Sequence, residues 1–287
     1  MGISFKEVSH KYDGLNKNEH VDALENINLD IAGNDEFLAI VGETGSGKST
    51  LLQHMNALLL PTSGTIQIYD SIITPKKRKN PKLKPIRKRI GFVFQFPEYQ
   101  LFEETVLKDI LFAPKNFGMP LEEAKENALK VCKLLNIPDE LLEKSPFNLS
   151  GGQMRKVAIA GILAYNPDIL LLDEPTRGLD PKTALEVMEI FNKINKELHK
   201  TIIIITHDMN IVYEYSTRVI AMNHGEIKFD GQAKELFSSK VYEECHLRKP
   251  DILKLIDYLN PKLNLSLTYD IKTEEELLKA LKDVDYE

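Results

Sequence analysis

With 287 residues, 43% of them apolar, the chain is long enough to bury one large or two small cores, which excludes a disordered tail. Its formal net charge of −6 argues against a general nucleic-acid binder. Two cysteines, with no CxxC and no nearby histidine pair, support neither a disulfide framework nor a zinc site, so Cys132 and Cys245 read as packing residues.

In chain order, the opening "MGISFKEVSH" carries no apolar stretch of the signal-peptide kind. Position 6 is Lys where a myristoylation signal has Ser or Thr, and a cytoplasmic protein is expected. Alternating Ile3 and Phe5, then "ALENINLDI" and "GTIQIYD", predict short strands of an antiparallel layer. Five later runs are apolar without alternation: "FLAIV" (37–41), "IGFVF" (90–94), "DILLLD" (168–173), "TIIIIT" (201–206) and "RVIAM" (218–222). Such runs suit strands covered on both faces, and the helical text between several of them predicts a parallel α/β core sheet. The stretch "PKKRKNPKLKPIRKR" (75–89) is densely basic, and its prolines and lysines predict an exposed loop. A solvated loop is its plain reading, with lipid headgroups or a nucleic acid as the alternatives. A helical insertion follows, about 96–165, in which "LEEAKENALKVCKLLNI" has amphipathic spacing. Beyond residue 246, Pro250 and Pro261 punctuate short segments, and Thr273 with Glu276 forms a capping box before "ELLKALKDV". The longest apolar runs, "VAIAGILAY" and the isoleucines at 202–205, fall short of the roughly 18 residues of a membrane span.

Chemistry concentrates where these strands end. "FLAIV" empties into "GETGSGKST", which matches G-x-x-x-x-G-K-[ST] through Gly42, Gly47, Lys48 and Ser49, in strand–loop–helix context. A loop poor in side chains lets the amides of Gly42, Glu43, Thr44, Gly45, Ser46, Gly47, Lys48, Ser49 and Thr50 wrap a phosphate. Lys48 can then neutralise β and γ oxygens, and Ser49 can offer a hydroxyl to Mg²⁺. "DILLLDEP" ends in two carboxylates: Asp173 suits the Mg²⁺ shell, and Glu174 suits a base for the attacking water. "IGFVF" delivers Gln95 and "TIIIIT" delivers His207, and ligands gather at the carboxyl ends of parallel strands. "LSGGQM" (149–154) puts two glycines at a helix start. Ser150 and Gln153 fit a capping box, and bare amides at Gly151 and Gly152 would also suit an approaching anion.

Taken together, Walker A at 42–50, Gln95, "LSGGQ", "ILLLDE", "GLD" at 178–180 and His207 resemble the nucleotide-binding subunit of ATP-binding cassette (ABC) transporters over nearly all of residues 1–246. The resemblance implies a P-loop NTPase fold of the ABC type, with ATP and Mg²⁺ as cofactors. It implies head-to-tail dimers sandwiching two ATP, in which Ser150, Gly151, Gly152 and Gln153 face the γ-phosphate held by the other subunit. Gln95 would be the Q-loop residue touching Mg²⁺, His207 the switch, and Tyr12 the aromatic that stacks on adenine. "FQFPEYQLFEETVLKDI", "SPFNLSGGQMRKVAIAGILA" and the segment 247–287 resemble the second ATPase of energy-coupling factor (ECF) transporters, which import vitamins and some metal ions. That resemblance implies a second ATPase, a paralogue, together with a transmembrane coupling protein and a substrate-binding membrane subunit. It places the chain at the cytoplasmic face of the membrane, with 247–287 a candidate dimerisation element and no nucleic acid among the partners. Arg177 in "EPTRGLDP" departs from the small residue such sequences often carry, which puts the detail of the dimer interface in doubt. The rival readings are the ATPase of another bacterial importer, a soluble ABC ATPase acting on DNA or ribosomes, and an interaction protein with a dead site. The second lacks the paired cassettes or long coiled coil of such proteins. The third is opposed by Lys48, Asp173, Glu174 and His207.

Overall fold

All five continuous apolar runs are strands in the computed structural model, which describes residues 2–13 and 20–282. An antiparallel layer is built from β1 (Ile3–Asp13), β2 (His20–Ile31), β4 (Ser63–Ile68) and β5 (Ser71–Ile73), in the order β2-β1-β4-β5. The core sheet contains β3 (Phe37–Val41), β6 (Ile90–Val93), β7 (Ile169–Asp173), β8 (Thr201–Ile205), β9 (Arg218–Asn223) and β10 (Glu226–Gly231), in the order β10-β9-β3-β8-β7-β6. β3, β6, β7, β8 and β9 run parallel. β10 pairs antiparallel with β9, and the sequence did not announce it. Its text, "EIKFDG", is half-buried rather than apolar throughout, as befits an edge strand.

The continuous runs have a direct cause in how the sheet is covered. In β3, Leu38 and Ile40 join one core, with Leu171 and Ile203, while Phe37, Ala39 and Val41 join another, with Leu170 and Ile202. The first core lies under the antiparallel layer, whose Ile3, Phe5, Leu29 and Ile31 supply its other wall, with Leu51 and Met55 of α1 (Lys48–Met55). With side chains buried on both faces, at about 1.5–3 kcal/mol for each Leu or Ile, no position in these strands tolerates a polar residue until the strand ends.

Helices cover the second core. The insertion holds α3 (Val106–Asn116), α4 (Leu121–Leu134) and α5 (Gly151–Leu163), which pack on one another through residues such as Ile110, Ala128 and Val157. Both cysteines are buried as packing residues, and burial pushes the Cys132 thiol up to about 11. The basic stretch departs from expectation. Its second half is a short helix, α2 (Leu83–Arg89), anchored by buried Ile86. Pro85 falls in its first turn, where a missing amide costs no helical bond. Arg87 donates to the Ala57 carbonyl (2.9 Å), and Arg89 pairs with Asp168 (2.7 Å) while lying over the Tyr69 ring.

After β7 come α6 (Pro181–Leu198), α7 (Met209–Tyr215), α8 (Ala233–Ser238), α9 (Val241–Glu244), α10 (Asp251–Leu263) and α11 (Glu274–Lys282). Pro250 caps α10, whereas Pro261 lies inside it rather than between segments. The capping box forms: Glu276 N donates to Thr273 Oγ1 (3.2 Å) and Thr273 N to Glu276 Oε2 (3.4 Å). The last two residues of "ELLKALKDV", 283 and 284, lie outside the described residues. Leu253, Ile256 and Leu277 bury into the same core as the helical insertion.

Candidate functional site

Three parallel strands and one loop open onto a single cavity of about 380 Å³. The loop after β3 and the start of α1 supply Thr44, Gly45, Gly47, Lys48, Ser49 and Thr50, the end of β7 supplies Asp173 with Glu174 directly after it, and Gln95 lies two residues past β6. Tyr12 closes one side from the antiparallel layer. Two glycines of the loop are demanded by the chain itself. Gly42 (φ 144°) and Gly47 (φ 100°) have conformations that side chains rarely adopt, and a Cβ would lie 2.2 Å from the Met222 oxygen or 2.4 Å from the Ala23 oxygen.

Lys48 arches back over this loop, its Nζ donating to the carbonyls of Gly42 (2.9 Å) and Glu43 (2.5 Å) and lying 3.4 Å from Ser46 Oγ. Burial pushes its ammonium below the ordinary lysine range, while Glu174, Asp173 and Glu43 favour the charged form. Ser49 Oγ donates to Asp173 Oδ1 (3.4 Å). Burial raises the Asp173 carboxyl above its usual value, against the pull of the Ser49 hydrogen bond.

Glu174 sits one residue beyond β7 in a left-handed conformation (φ 48°), with its amide held by the Ile205 carbonyl (2.9 Å). A non-glycine residue held there by its surroundings is a common feature of active sites. Its Oε2 accepts from Gln95 Nε2 (3.2 Å) and Arg177 Nη1 (2.9 Å), and its Oε1 lies 3.6 Å from His207 Nδ1. His207 is otherwise exposed. Tyr12 Oη lies 3.2 Å from Thr50 Oγ1, and its ring packs edge-on against His10, which packs in turn against buried His54 of α1.

The "LSGGQ" residues do not join this cavity. Ser150, Gly152 and Gln153 line a separate one of about 270 Å³ with Asn136, Lys156 and Thr183. The expected capping box is complete there: Gln153 N donates to Ser150 Oγ (3.3 Å) and Ser150 N to Gln153 Oε1 (3.0 Å). Nothing within the chain calls for the glycines, since a Cβ on Gly151 would meet no atom within 4 Å and one on Gly152 would make an ordinary 3.7 Å contact with Thr183.

Two features of the site were not read from the sequence. Arg177, singled out there only as a departure, faces Glu174. Arg155 of α5 is buried and pairs bidentately with Glu98 (3.0 and 2.8 Å), and its Nη1 donates to the carbonyls of Pro175 (3.2 Å) and Arg177 (3.0 Å). It thus ties the segment after Gln95 and the turn after Glu174 to the "LSGGQ" helix. A cation on an otherwise apolar face, "RKVAIAGIL", was the only available signal.

Among the described residues, no group of three or more His, Cys, Asp or Glu could hold a metal ion. One carboxylate, one hydroxyl and one amide at the cavity are a smaller oxygen set, of the kind completed by phosphate and water.

Residues 24–177 match the family described as ABC transporter. An energy-coupling factor transporter ATP-binding protein EcfA2 of Ligilactobacillus salivarius is 50% identical, covering 98% of either chain. One of Bacillus cereus is 46% identical, covering 99% of this chain and 96% of its own. Among solved structures, cbiO1 of Clostridium perfringens, part of the ABC transporter complex cbiONQ, superposes with a TM-score of 0.72 at 37% identity. It covers 89% of this chain and 98% of its own. The ATP-binding cassette MJ0796, in a dimeric post-hydrolysis state bound to ADP and Pi, gives a TM-score of 0.70 at 34% identity, covering 80% and 98%.

Proposed function

The chain belongs to the ABC transporter family, among its energy-coupling factor ATP-binding proteins, and on that premise we propose that it binds and hydrolyses ATP to drive an importer of vitamins or other micronutrients. One observation carries this reading: the P-loop cavity gathers Lys48, Ser49, Gln95, Asp173 and Glu174, with His207 reaching Glu174 from outside its lining, while the "LSGGQ" donors open elsewhere. Two cassettes set head to tail complete each other, each closing its partner's cavity with the start of α5. The cassette MJ0796, similar in fold and sequence, is dimeric.

Within one such site the roles follow from the chemistry. The amides from Gly42 to Thr50 cradle the phosphates at the start of α1, and Lys48 faces the β and γ oxygens. Partial desolvation strengthens that charge pairing. Ser49, Asp173 and Gln95 would hold Mg²⁺, and the 3.4 Å approach of Ser49 Oγ to Asp173 fits a shared hard cation. Bound there, the ion would neutralise charge on the phosphate oxygens. Glu174 takes or orients the proton of the attacking water, His207 supports the same carboxylate from the far side, and Tyr12 offers its ring to adenine.

No helix among the described residues is long and apolar enough to cross a membrane. On the reading proposed, supported by the similarity to energy-coupling factor ATP-binding proteins, the chain works as a peripheral subunit on the cytoplasmic face, beside a paralogous ATPase, a transmembrane coupling protein and a substrate-binding membrane subunit. Residues 247–287 serve the ATPase–ATPase contact. Just past Gln95, Tyr99 is 84% exposed and Phe102 56%, an unusual exposure for aromatics that suits them to receive the coupling protein. Tyr99→Asp and Phe102→Asp should lose the membrane subunits on co-purification from native membranes while retaining ATP binding. Normal assembly and transport by both variants would contradict the coupling role.

A further inference from the structure

Arg177 lines the cavity that holds Lys48, Asp173 and Glu174, yet no part of the phosphate-binding scheme above uses it. Its backbone is fixed on two sides. Arg177 N donates to the Glu174 carbonyl (3.1 Å), closing a tight turn, and the Arg177 carbonyl accepts from buried Arg155 (3.0 Å). Gly178 (φ 76°) then turns the chain away toward α6. The guanidinium is thereby returned over the carboxylate it follows by three residues, 2.9 Å from Oε2.

The two oxygens of Glu174 are treated differently. Oε2 accepts from Arg177 and from Gln95, whereas among the described residues Oε1 has only the longer 3.6 Å approach of His207. A carboxylate held by two donors on one oxygen keeps a fixed plane, and its other oxygen is the one left to take a proton. An exposed ion pair usually contributes little, because two long side chains must be ordered to make it. Here the cost is smaller: Glu174 is largely buried, its backbone is pinned at φ 48°, and the turn carrying Arg177 is held by Arg155.

We propose that Arg177 is a positioning residue for Glu174: with Gln95 it occupies Oε2 and so presents Oε1 to the attacking water. This rests on Glu174 acting as the base. The Arg177 side chain is 54% exposed and is not part of the buried core, so its replacement removes little packing.

The experiment is single-turnover ATP hydrolysis by the assembled ATPase complex, comparing parent, Arg177→Ala, Arg177→Lys, Glu174→Gln and the double variant Glu174→Gln/Arg177→Ala. Arg177→Ala should slow hydrolysis about three- to tenfold with the KM for ATP unchanged, the size expected of a misoriented base. Arg177→Lys, which keeps a charged donor within reach of Oε2, should recover part of the loss. In the Glu174→Gln background, removing Arg177 should cost nothing further. A rate for Arg177→Ala equal to or above the parent's overturns the proposal, as does a change confined to KM or an equal loss in the double variant. Parental rates for Glu174→Gln would overturn the base assignment itself, whereas a slow Glu174→Gln beside a normal Arg177→Ala removes only the positioning role.

Discussion

Two helices of this chain begin with glycine, and they do so for opposite reasons. At α1, Gly47 takes the N-cap position with no side-chain cap, and a Cβ there would meet the Ala23 carbonyl 2.4 Å away. At α5, Ser150 and Gln153 complete a capping box, and a Cβ on Gly151 would meet nothing. The first glycine is required by packing inside the chain. The second has no cause within the described residues, and glycine lowers helix stability relative to alanine by up to about 1 kcal/mol, so its cause, on the function proposed, lies in a neighbouring subunit. Charge divides the two in the same way. The start of α1 is surrounded by Lys48, Asp173 and Glu174, whereas the start of α5 offers backbone donors and a dipole end with no charged group in its first turn. Under the proposed function, one region is a nearly complete phosphate site, and the other is the missing wall of a neighbour's.

The largest effect expected from this division is chemical and confined to the first region. Glu174→Gln should slow turnover by about 10²- to 10⁴-fold, or roughly 3–5 kcal/mol of barrier, while nucleotide remains bound. Phosphate release and retained nucleotide, measured on one preparation, check it. Next comes a direct comparison of the two glycines by equilibrium unfolding. Gly47→Ala should lower stability by about 2–4 kcal/mol through strain and the clash with Ala23. Gly151→Ala should leave it level or raise it by less than about 1 kcal/mol. Equal losses at both would erase the contrast.

A smaller effect is expected from protons. His54, buried in α1, donates from Nδ1 to the Thr50 carbonyl (2.7 Å), and its Nε2 has no hydrogen-bond partner among the described residues. Burial holds its pKa down at about 4, below the ordinary 6.5. The unfolded chain therefore binds a proton that the folded chain refuses, and stability present above pH 6.5 is lost as pH falls toward 4. Between pH 7 and 5 this amounts to about 2 kcal/mol. Chemical denaturation at the two pH values should show that loss for the parent and a smaller one for His54→Leu.

How much of this was legible beforehand depends on whether a residue's neighbours are local. The core strands announced themselves because burial on both faces leaves unbroken apolar text. The P-loop, Asp173, Glu174 and Gln95 follow from strands that end in polar residues. β10 escaped notice because an edge strand needs no apolar run. In residues 75–89, nine cations and three prolines hid the short helix α2, whose one buried anchor is Ile86. Arg155 and Arg177 carried no readable role, because their partners, Glu98 and a turn at Glu174, are brought to them only by the packing of α5 against the sheet.

The central claim, that each nucleotide site is shared between two subunits, is tested most directly by complementation within one ATPase dimer. Gly151→Asp puts bulk and negative charge where phosphate would approach, and Lys48→Ala removes the cation of the P-loop. Where the partner is a paralogue, its own P-loop lysine takes the place of Lys48. With the two substitutions on different subunits, one site keeps an intact P-loop and an intact "LSGGQ" while the other loses both. With both on one subunit, each site loses one half. The account predicts clearly higher ATP turnover for the first arrangement at equal dimer content, and equal turnover in the two would contradict it, leaving the glycines of α5 as parts of a helix cap and nothing more.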